Sequence, residues 1–483
     1  MNAAIRRLSV VAFVLLMALM IAVTHIQVVQ APTLNADSRN IRTTYREFGL
    51  SRGPIIVDGK SVASSKASDD AFGYQRSYSD GPLYAPMTGY FSILVGRSGI
   101  ERTENELLNG TADSLAIRRL QDLVTGRQPK GSSVELTLQA AAQQAAWDAL
   151  GDQKGAAVAI DPRTGAILAM VSKPSYDPND LAVHSTSKVD KSYQALLAET
   201  GNPLLNRTTQ ATYPPGSTFK LLVSAAAIES GSLTPDSQVP APTQLQLPQS
   251  SATLGNFGGS ACSPTGTMTL ADALRISCNT AFAQIGMDLG QDVLRETTEA
   301  FGFNDSLEVP LAVAPSVFPT DIDAPGVALS SIGQKDVRAT PLQMALVAAT
   351  IANDGVQMSP YSVQTVRDAD LAVISEAEPS ERTTAISPAT AQALTDMMVG
   401  VVDSGSGRAA QINGVKVAGK TGTAQTTADA APHAWFVGFA PADDPQVAVA
   451  VIVENGGSLG SEGTGGAVAA PVARSIMRAV MDR

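Results

Sequence analysis

A chain of 483 residues is longer than one ordinary domain and implies about two or three folded units. Hydrophobic residues at 44% and charged residues at 16% give a globular balance and exclude a disordered chain. The formal net charge of -11, with no Lys/Arg run, excludes a nucleic-acid partner, which needs a concentrated basic face.

The stretch from Leu8 to Gln30 carries no Lys, Arg, Asp or Glu and follows Arg6 and Arg7. Its length matches the ~20 residues of a spanning helix. The positive charge before it predicts residues 1–7 as a cytoplasmic tail, 8–30 as a transmembrane anchor and the rest outside the cytoplasmic membrane. A cleaved signal would have an apolar core of only about 7–15 residues and a small-x-small site. Thr24-His25-Ile26-Gln27 offers no such site, so the reading is an uncleaved, single-pass anchor.

Residues 31–150 are predicted as a small, strand-containing N-terminal domain of low regularity. It closes on V-E-L-T-L-Q-A-A-A-Q-Q-A-A-W-D-A-L (Val134 to Leu150), a strand passing into an Ala-rich helix. No repeat of about 20–50 residues occurs. In residues 151–483, the apolar runs Gly155 to Asp161 and Ala166 to Ser172 flank the turn Pro162-Arg163-Thr164-Gly165 and predict a hairpin. Lys173 to Ala410 reads mostly as helices and loops. Three more strands are expected at Val415 to Gln425, Ala434 to Ala440 and Gln446 to Glu454. The last is apolar on both faces, as suits a central, covered strand. Val468 to Met481 predicts a helix starting near Pro471. An antiparallel sheet split between the ends of a domain, with a helical block inserted, is an α+β plan. Its chemistry is expected where the block meets the sheet.

Three short motifs lie at those junctions. In Y-P-P-G-S-T-F-K-L-L-V-S-A-A-A-I-E-S-G, Pro214-Pro215-Gly216 stops the preceding segment and Ser217 opens an apolar helix ending at Gly231. Positions i and i+3 share a helix face, so the Lys220 amine can reach the Ser217 hydroxyl. A serine is a poor nucleophile until a base takes its proton, and a lysine can be that base when burial and nearby cations lower its pKa. The second motif is Ser277-Cys278-Asn279, a hydroxyl and an amide two residues apart on a loop. The third is Val417-Ala418-Gly419-Lys420-Thr421-Gly422-Thr423-Ala424, where Thr421 and Thr423 share one strand face and the glycines mark a close backbone approach. That face could bind a carboxylate, with Lys420 supplying positive charge. Each motif alone is weak, because Ser185-Thr186-Ser187-Lys188 and Ser38-Arg39-Asn40 match the first two in polar surroundings.

The only cysteines, Cys262 and Cys278, both fall in the exported part. They predict either a disulfide or two buried thiols. The only histidines, His25, His184 and His433, form no ligand cluster with them, which argues against zinc.

The order S-x-x-K, S-x-N, K-T-G resembles the signature of penicillin-binding proteins and serine β-lactamases. R-G-P-I-I-V-D-G from Arg52 and G-R-S-G-I-E from Gly96 resemble the N-terminal pedestal of the monofunctional class B enzymes. A-I-D-P-R-T-G-A-I-L-A-M-V-S-K-P-S-Y-D-P-N from Ala159, S-I-G-Q-K-D-V-R-A-T-P-L-Q-M-A from Ser331, I-A-N-D-G from Ile351 and H-A-W-F-V-G-F-A-P from His433 resemble landmarks of their transpeptidase domain. The short pedestal is most similar to the penicillin-binding protein A type of actinobacteria. The chain departs from the pattern at Lys335, where the family often has glycine, and at Gln139, where Asp is common.

The resemblance implies a D,D-transpeptidase fold with a five-stranded antiparallel sheet, and a set of roles. Ser217 would attack the penultimate D-Ala of a peptidoglycan stem peptide, with Lys220 as general base. Ser277 and Lys420 would pass the proton to the departing D-Ala. Asn279 would hold the donor amide, and Thr421, Gly422 and Thr423 would line the carboxylate site. The backbone N–H groups of Ser217 and Thr423 would form the oxyanion hole. β-Lactams would acylate Ser217, no metal or organic cofactor would be needed, and a polytopic membrane glycan polymerase would be the partner. A β-lactamase, or a β-lactam sensor without turnover, is the alternative. A bifunctional glycosyltransferase is not expected, because roughly 100 residues of pedestal fall short of a further domain.

Overall fold

The computed structural model describes residues 2–30, 34, 47–115, 124–126, 130–425 and 430–482. Helix α1 (Asn2–Thr24) continues through a π turn (His25–Val29) and exposes apolar side chains all round. A helix apolar on every face needs an apolar surround, which no described part of the protein supplies.

Strands β1 (Ile55–Val57), β2 (Lys60–Ala67), β3 (Tyr74–Tyr78) and β4 (Ser133–Leu136) belong to the pedestal sheet, and helix α2 (Ala140–Leu150) follows them. Strands β5 (Gly155–Ile160) and β6 (Ile167–Lys173) form the expected hairpin. The inserted block holds α3 (Lys220–Glu229), α4 (Leu270–Arg275), α5 (Asn279–Ala300), α6 (Pro341–Ala352) and α7 (Pro388–Ser404). It also carries β7 (Val363–Arg367) and β8 (Val373–Glu376), where the sequence predicted helices and loops. These two strands extend the pedestal sheet to the order β8-β7-β4-β1-β2-β3, with β7 antiparallel to β4. V-Q-T-V-R has strand alternation, but its partner lies more than 200 residues earlier, between Val366 and Val134.

The chain closes with β9 (Ala418–Ala424), β10 (His433–Ala440), β11 (Val447–Val453) and helix α8 (Ala470–Met481), in which Pro471 stands within the first turn. The second sheet is antiparallel in the order β9-β10-β11-β5-β6, so β11 is central. Period-two alternation explains its composition. Ala448, Ala450 and Ile452 face the core beneath α3 and α6, whereas Val447, Val449, Val451 and Val453 face the core under α2 and α8. The edge strand β9 is left for the block to meet.

A buried ion cluster locks the pedestal. Glu101 accepts from Arg52 Nε at 2.5 Å and from Arg76 Nε at 2.6 Å, and the Tyr78 hydroxyl adds a bond at 3.1 Å. Burial pushes the Glu101 carboxyl up in pKa, but the Arg76 and Arg52 charges more than reverse this and hold it below its usual value. Removing one member strands the others: Glu101→Gln should cost about 3–5 kcal/mol, read as a lower urea midpoint of the pedestal at pH 7. In the parent chain this contribution is complete above 4.5, the ordinary carboxyl value, and is lost as pH falls through the lower folded value. A variant as stable as the parent at pH 7 would remove the cluster's structural role.

Candidate active site

The turn before Ser217 is held from three sides. Tyr213 exchanges backbone hydrogen bonds with Ala339 (both 2.9 Å), Trp435 Nε1 donates to Pro214 O at 3.0 Å, and Gly216 N donates to Gly333 O at 2.9 Å. A 3₁₀ turn, Gly216–Phe219, then leads into α3, so Ser217 precedes the α-helix proper instead of opening it. This turn lies flat on β9. A Cβ on Gly422 would stand 2.9 Å from Pro215 O and 3.0 Å from Thr218 Cγ2, closer than side chains tolerate. On the same strand, a Cβ on Gly419 would meet the Phe436 ring at 2.4 Å.

Ser277 sits where α4 ends. Cys278 N donates to Ala273 O (2.9 Å) and Ser277 N to Leu274 O (3.1 Å), the paired bonds of a Schellman motif. That motif needs a left-handed residue at its C′ position, and Ser277 occupies it with φ of 65°. The usual occupant is glycine, so a serine there carries strain. Cys278 is joined to Cys262 by a disulfide, with Cα atoms 5.9 Å apart.

Two lysine amines converge on this loop, both with fully buried side chains. Lys220 Nζ donates to Ser277 O at 2.7 Å and to Asn279 Oδ1 at 2.8 Å, and lies 3.2 Å from Ser277 Oγ. Lys420 Nζ bonds Ser277 Oγ at 2.9 Å and Thr421 O at 2.9 Å. Burial drives the Lys220 pKa well down and the Lys420 charge lowers it further; burial alone pushes Lys420 down to about 7. The Lys220 amine is thus oriented toward the Ser277 loop, and among the described residues no hydrogen bond joins it to the Ser217 hydroxyl.

Above the amines lies a cleft of about 320 Å³ lined by Ser217, Ser277, Asn279, Thr421 and Thr423. Gly422 sits between the threonines with its α-carbon against the Ser217 turn. Sequence motifs missed other lining residues. Ser406 Oγ and Thr421 Oγ1 are 2.6 Å apart, and Thr464-Gly465-Gly466 close the same side. Their G-S-G and T-G-G contexts signal tight turns only. Gln334 pins the end of β9: with its amide turned to satisfy both groups, it donates to Gln425 O at 3.1 Å and accepts from Gln425 N at 3.2 Å. Its neighbour Lys335 is exposed with φ of 61°, which accounts for the glycine common in similar chains. Ser185 to Lys188 lies outside the cleft, on the exposed start of a polar helix, Thr186–Ala198. Ser38-Arg39-Asn40 lies outside the described residues.

Residues 155–478 match the penicillin binding protein transpeptidase domain family, and residues 52–134 match the penicillin binding protein A dimerisation domain. The chain therefore belongs to the penicillin-binding protein transpeptidase family, with the α+β catalytic fold on a pedestal. Within that family it is a class B protein of the PbpA type. It is 45% identical over its whole length to the peptidoglycan D,D-transpeptidase PbpA of Mycolicibacterium smegmatis, spanning 99% of that protein, and 44% identical to PbpA of Mycobacterium tuberculosis. It is similar to the structure of M. tuberculosis penicillin-binding protein A as a ceftriaxone acyl-enzyme complex, with a TM-score of 0.87 and 43% identity over 90% of this chain and 100% of that one. The penicillin G acyl-enzyme complex of the same protein gives a TM-score of 0.85 over 89% of this chain and 100% of that one.

The left-handed serine makes a prediction for stability alone. Ser277→Gly should be more stable than Ser277→Ala by ~1 kcal/mol, measured by thermal unfolding, because glycine relieves the backbone and alanine does not. Equal melting temperatures would mean the turn stores no such strain.

Proposed function

We propose that this chain is a serine-type peptidoglycan D,D-transpeptidase in which Ser217 is the nucleophile and Lys220 its general base. The observation that carries the reading is the pair of buried amines bridged by Ser277 Oγ beneath Ser217. A neutral amine has two N–H groups and one lone pair. The two N–H groups of Lys220 are taken by Ser277 O and Asn279 Oδ1, which leaves the lone pair to receive a hydroxyl proton.

In this mechanism Ser217 Oγ attacks the carbonyl of the penultimate D-Ala of a donor stem peptide while Lys220 accepts the hydroxyl proton. The N–H groups of Ser217 and Thr423 receive the oxyanion. The proton reaches the nitrogen of the departing D-Ala through Ser277, which Lys420 orients. Thr421 and Thr423, with Ser406 behind Thr421, receive the terminal carboxylate, and Asn279 holds the donor amide. An amine of a second stem peptide then takes the acyl group and frees Ser217. β-Lactams react at the same serine by ring opening, in line with the acyl-enzyme complexes of M. tuberculosis penicillin-binding protein A with ceftriaxone, imipenem and penicillin G.

The unit boundaries read from the sequence belong to this proposal: anchor 8–30, pedestal 31–150, catalytic domain 151–483. The apolar helix from Ala3 to Val29 is long enough to cross a bilayer, and Arg6 and Arg7 favour a cytoplasmic N-terminus. The catalytic domain then faces the outside, where the Cys262–Cys278 bond persists. A polytopic glycan polymerase in the same membrane would supply uncrosslinked glycan and contact the anchor and pedestal.

A fluorescent penicillin should label the parent protein at Ser217 by peptide mapping, and Ser217→Ala should not be labelled. An adduct at Ser185, or labelling of the alanine variant, would sink the assignment. Parent protein that is acylated yet releases no D-Ala from any donor would point to a sensor.

Lys220→Arg should lower the acylation rate about 10²–10⁴-fold, because arginine stays protonated and cannot act as base. In the parent, acylation should fall on the acid side, since protonating Lys220, whose pKa burial and then the Lys420 charge hold well below the usual lysine value, removes the neutral base. The stability sign is separate. Both folded lysines sit below their ordinary value of 10.5, so the folded protein gains stability as pH rises from about 7 toward 10.5. Acylation that stays flat in stopped-flow traces as the folded protein is acidified would contradict a lysine base.

A further inference from the structure

Glu454 is a largely buried carboxylate with no part in the acyl-transfer steps. Its Oε1 accepts from Arg207 Nε at 2.8 Å and from the Tyr213 hydroxyl at 2.9 Å. Its Oε2 pairs with Lys154 Nζ at 3.0 Å. Burial pushes the carboxyl up in pKa, but the bonds from Lys154, Arg207 and Tyr213 more than offset this and hold it below the usual value. Burial, and then the Glu454 charge, raise the Tyr213 pKa, so the hydroxyl keeps the proton it donates. A tyrosine placed only to fill the core needs no hydroxyl; a buried one is retained where it has a partner.

Both ends of the Tyr213–Glu454 bond lead to the cleft. Glu454 follows Val453, the last residue of β11, and its N–H extends the ladder to Lys154 O at 2.8 Å. Cross-strand pairing puts Thr423, Ala434, Val453 and Gly155 in one row across β9, β10, β11 and β5. The carboxylate is therefore fixed beside the row of the sheet that carries Thr423. Tyr213 stands four residues before Ser217. Its ring packs edge-on against His433 and Trp435, with centroids 5.4 Å and 6.1 Å away. His433 Nδ1 accepts from Asn455 N at 3.1 Å, which ties that ring to the residue after Glu454.

We propose that Glu454, acting through Tyr213, is a positioning residue that sets the spacing between the N–H of Ser217 and the N–H of Thr423. Its role rests on Ser217 as the nucleophile and on those two N–H groups as the oxyanion site. The two donors belong to different elements, one on the turn before α3 and the other on β9. An oxyanion hole works when both lie within hydrogen-bond reach of one oxygen whose charge develops in the transition state. Bonds to Ala339 and Gly333 tie the turn to the helical block, not to the sheet. Two hydrogen bonds run from residues 213–217 toward the sheet, from Trp435 Nε1 to Pro214 O and from the Tyr213 hydroxyl to Glu454. A segment fixed at one point pivots, and one fixed at two does not.

Stopped-flow traces separate acylation by penicillin G into non-covalent binding, Kd, and the bond-forming rate constant, k2. Tyr213→Phe removes the hydroxyl alone and should lower k2 about tenfold, with Kd within about twofold of the parent. The loss is smaller than the roughly 10²–10³-fold cost of a missing oxyanion donor, because both donors remain and only their spacing relaxes. The slowing should be equal for 6-aminopenicillanic acid, since both probes place their carbonyl oxygen in one hole. Glu454→Ala should lower k2 at least as far, and adding Tyr213→Phe to it should cost nothing further, because the two changes break one bond. Glu454→Gln keeps an oxygen for the hydroxyl and should recover most of k2. A merely structural role would lower the melting temperature and the fraction of protein labelled while leaving k2 of the remainder at the parent value. That result overturns the proposal, as does a Kd that weakens as much as k2, or slowing confined to one probe. Failure of the Ser217 reading would look different, as parent protein that neither probe acylates at that serine, and the positioning role would fall with it.

Discussion

Two lysine amines buried against one serine hydroxyl, with no carboxylate paired to either among the described residues, set the terms for this site. Desolvating an ammonium is costly, and a second ammonium nearby makes it costlier, so the pair is pushed toward neutrality. A neutral amine must spend its lone pair on a hydroxyl, and the hydroxyls within reach are those of the cleft. The pocket that destabilises these charges is therefore the one that can turn a lysine into a base. A carboxylate partner would have stabilised the fold and quenched the chemistry.

The rest of the architecture holds that arrangement still. The interacting side chains are distant in sequence, Lys220 and Ser277 by 57 positions and Ser277 and Lys420 by 143. They meet because the helical block packs on edge strand β9 with only glycine to separate the Ser217 turn from the strand. Behind β9 the sheet is covered on both faces, and central β11 feeds alternate side chains into two separate cores. The pedestal is no loosely tethered base. Strand β7 leaves the catalytic block and pairs with β4, with β8 paired to its outer side, so the two regions share a sheet as well as a chain. A shared ladder resists relative motion far better than a linker.

The locally unfavourable features cluster where the chemistry is. Ser277 takes the backbone conformation of a glycine, burial holds the two lysines below their usual pKa, and Phe257 stands in water. Each opposes folding slightly, and each is held by better-satisfied surroundings: the Schellman bonds of α4, the remote cap from Asn256 and the cysteine crosslink. Local rules broken together at one cleft, and obeyed in the sheet beneath it, are what a functional site looks like in physical terms.

The five strands of the catalytic sheet, the Ala-rich helix and the terminal helix were legible in the sequence because hydrophobic period and turn chemistry are local. So was the need for glycine beside Thr421, whereas the lysine three positions after Ser217 turns its amine to the Ser277 loop instead. Strands β7 and β8 were not legible, since five residues such as V-Q-T-V-R become a strand only when a distant edge offers hydrogen bonds. Nor could spacing reveal which groups Lys220 would bond, that Ser406 would back Thr421, or that Asn256 would cap a helix beginning at Asn279. By itself, the sequence determined which residue types could do acyl transfer and which local elements would carry them. Only the tertiary structure decided that two amines meet one hydroxyl away from water, because burial is a property of everything packed around a residue.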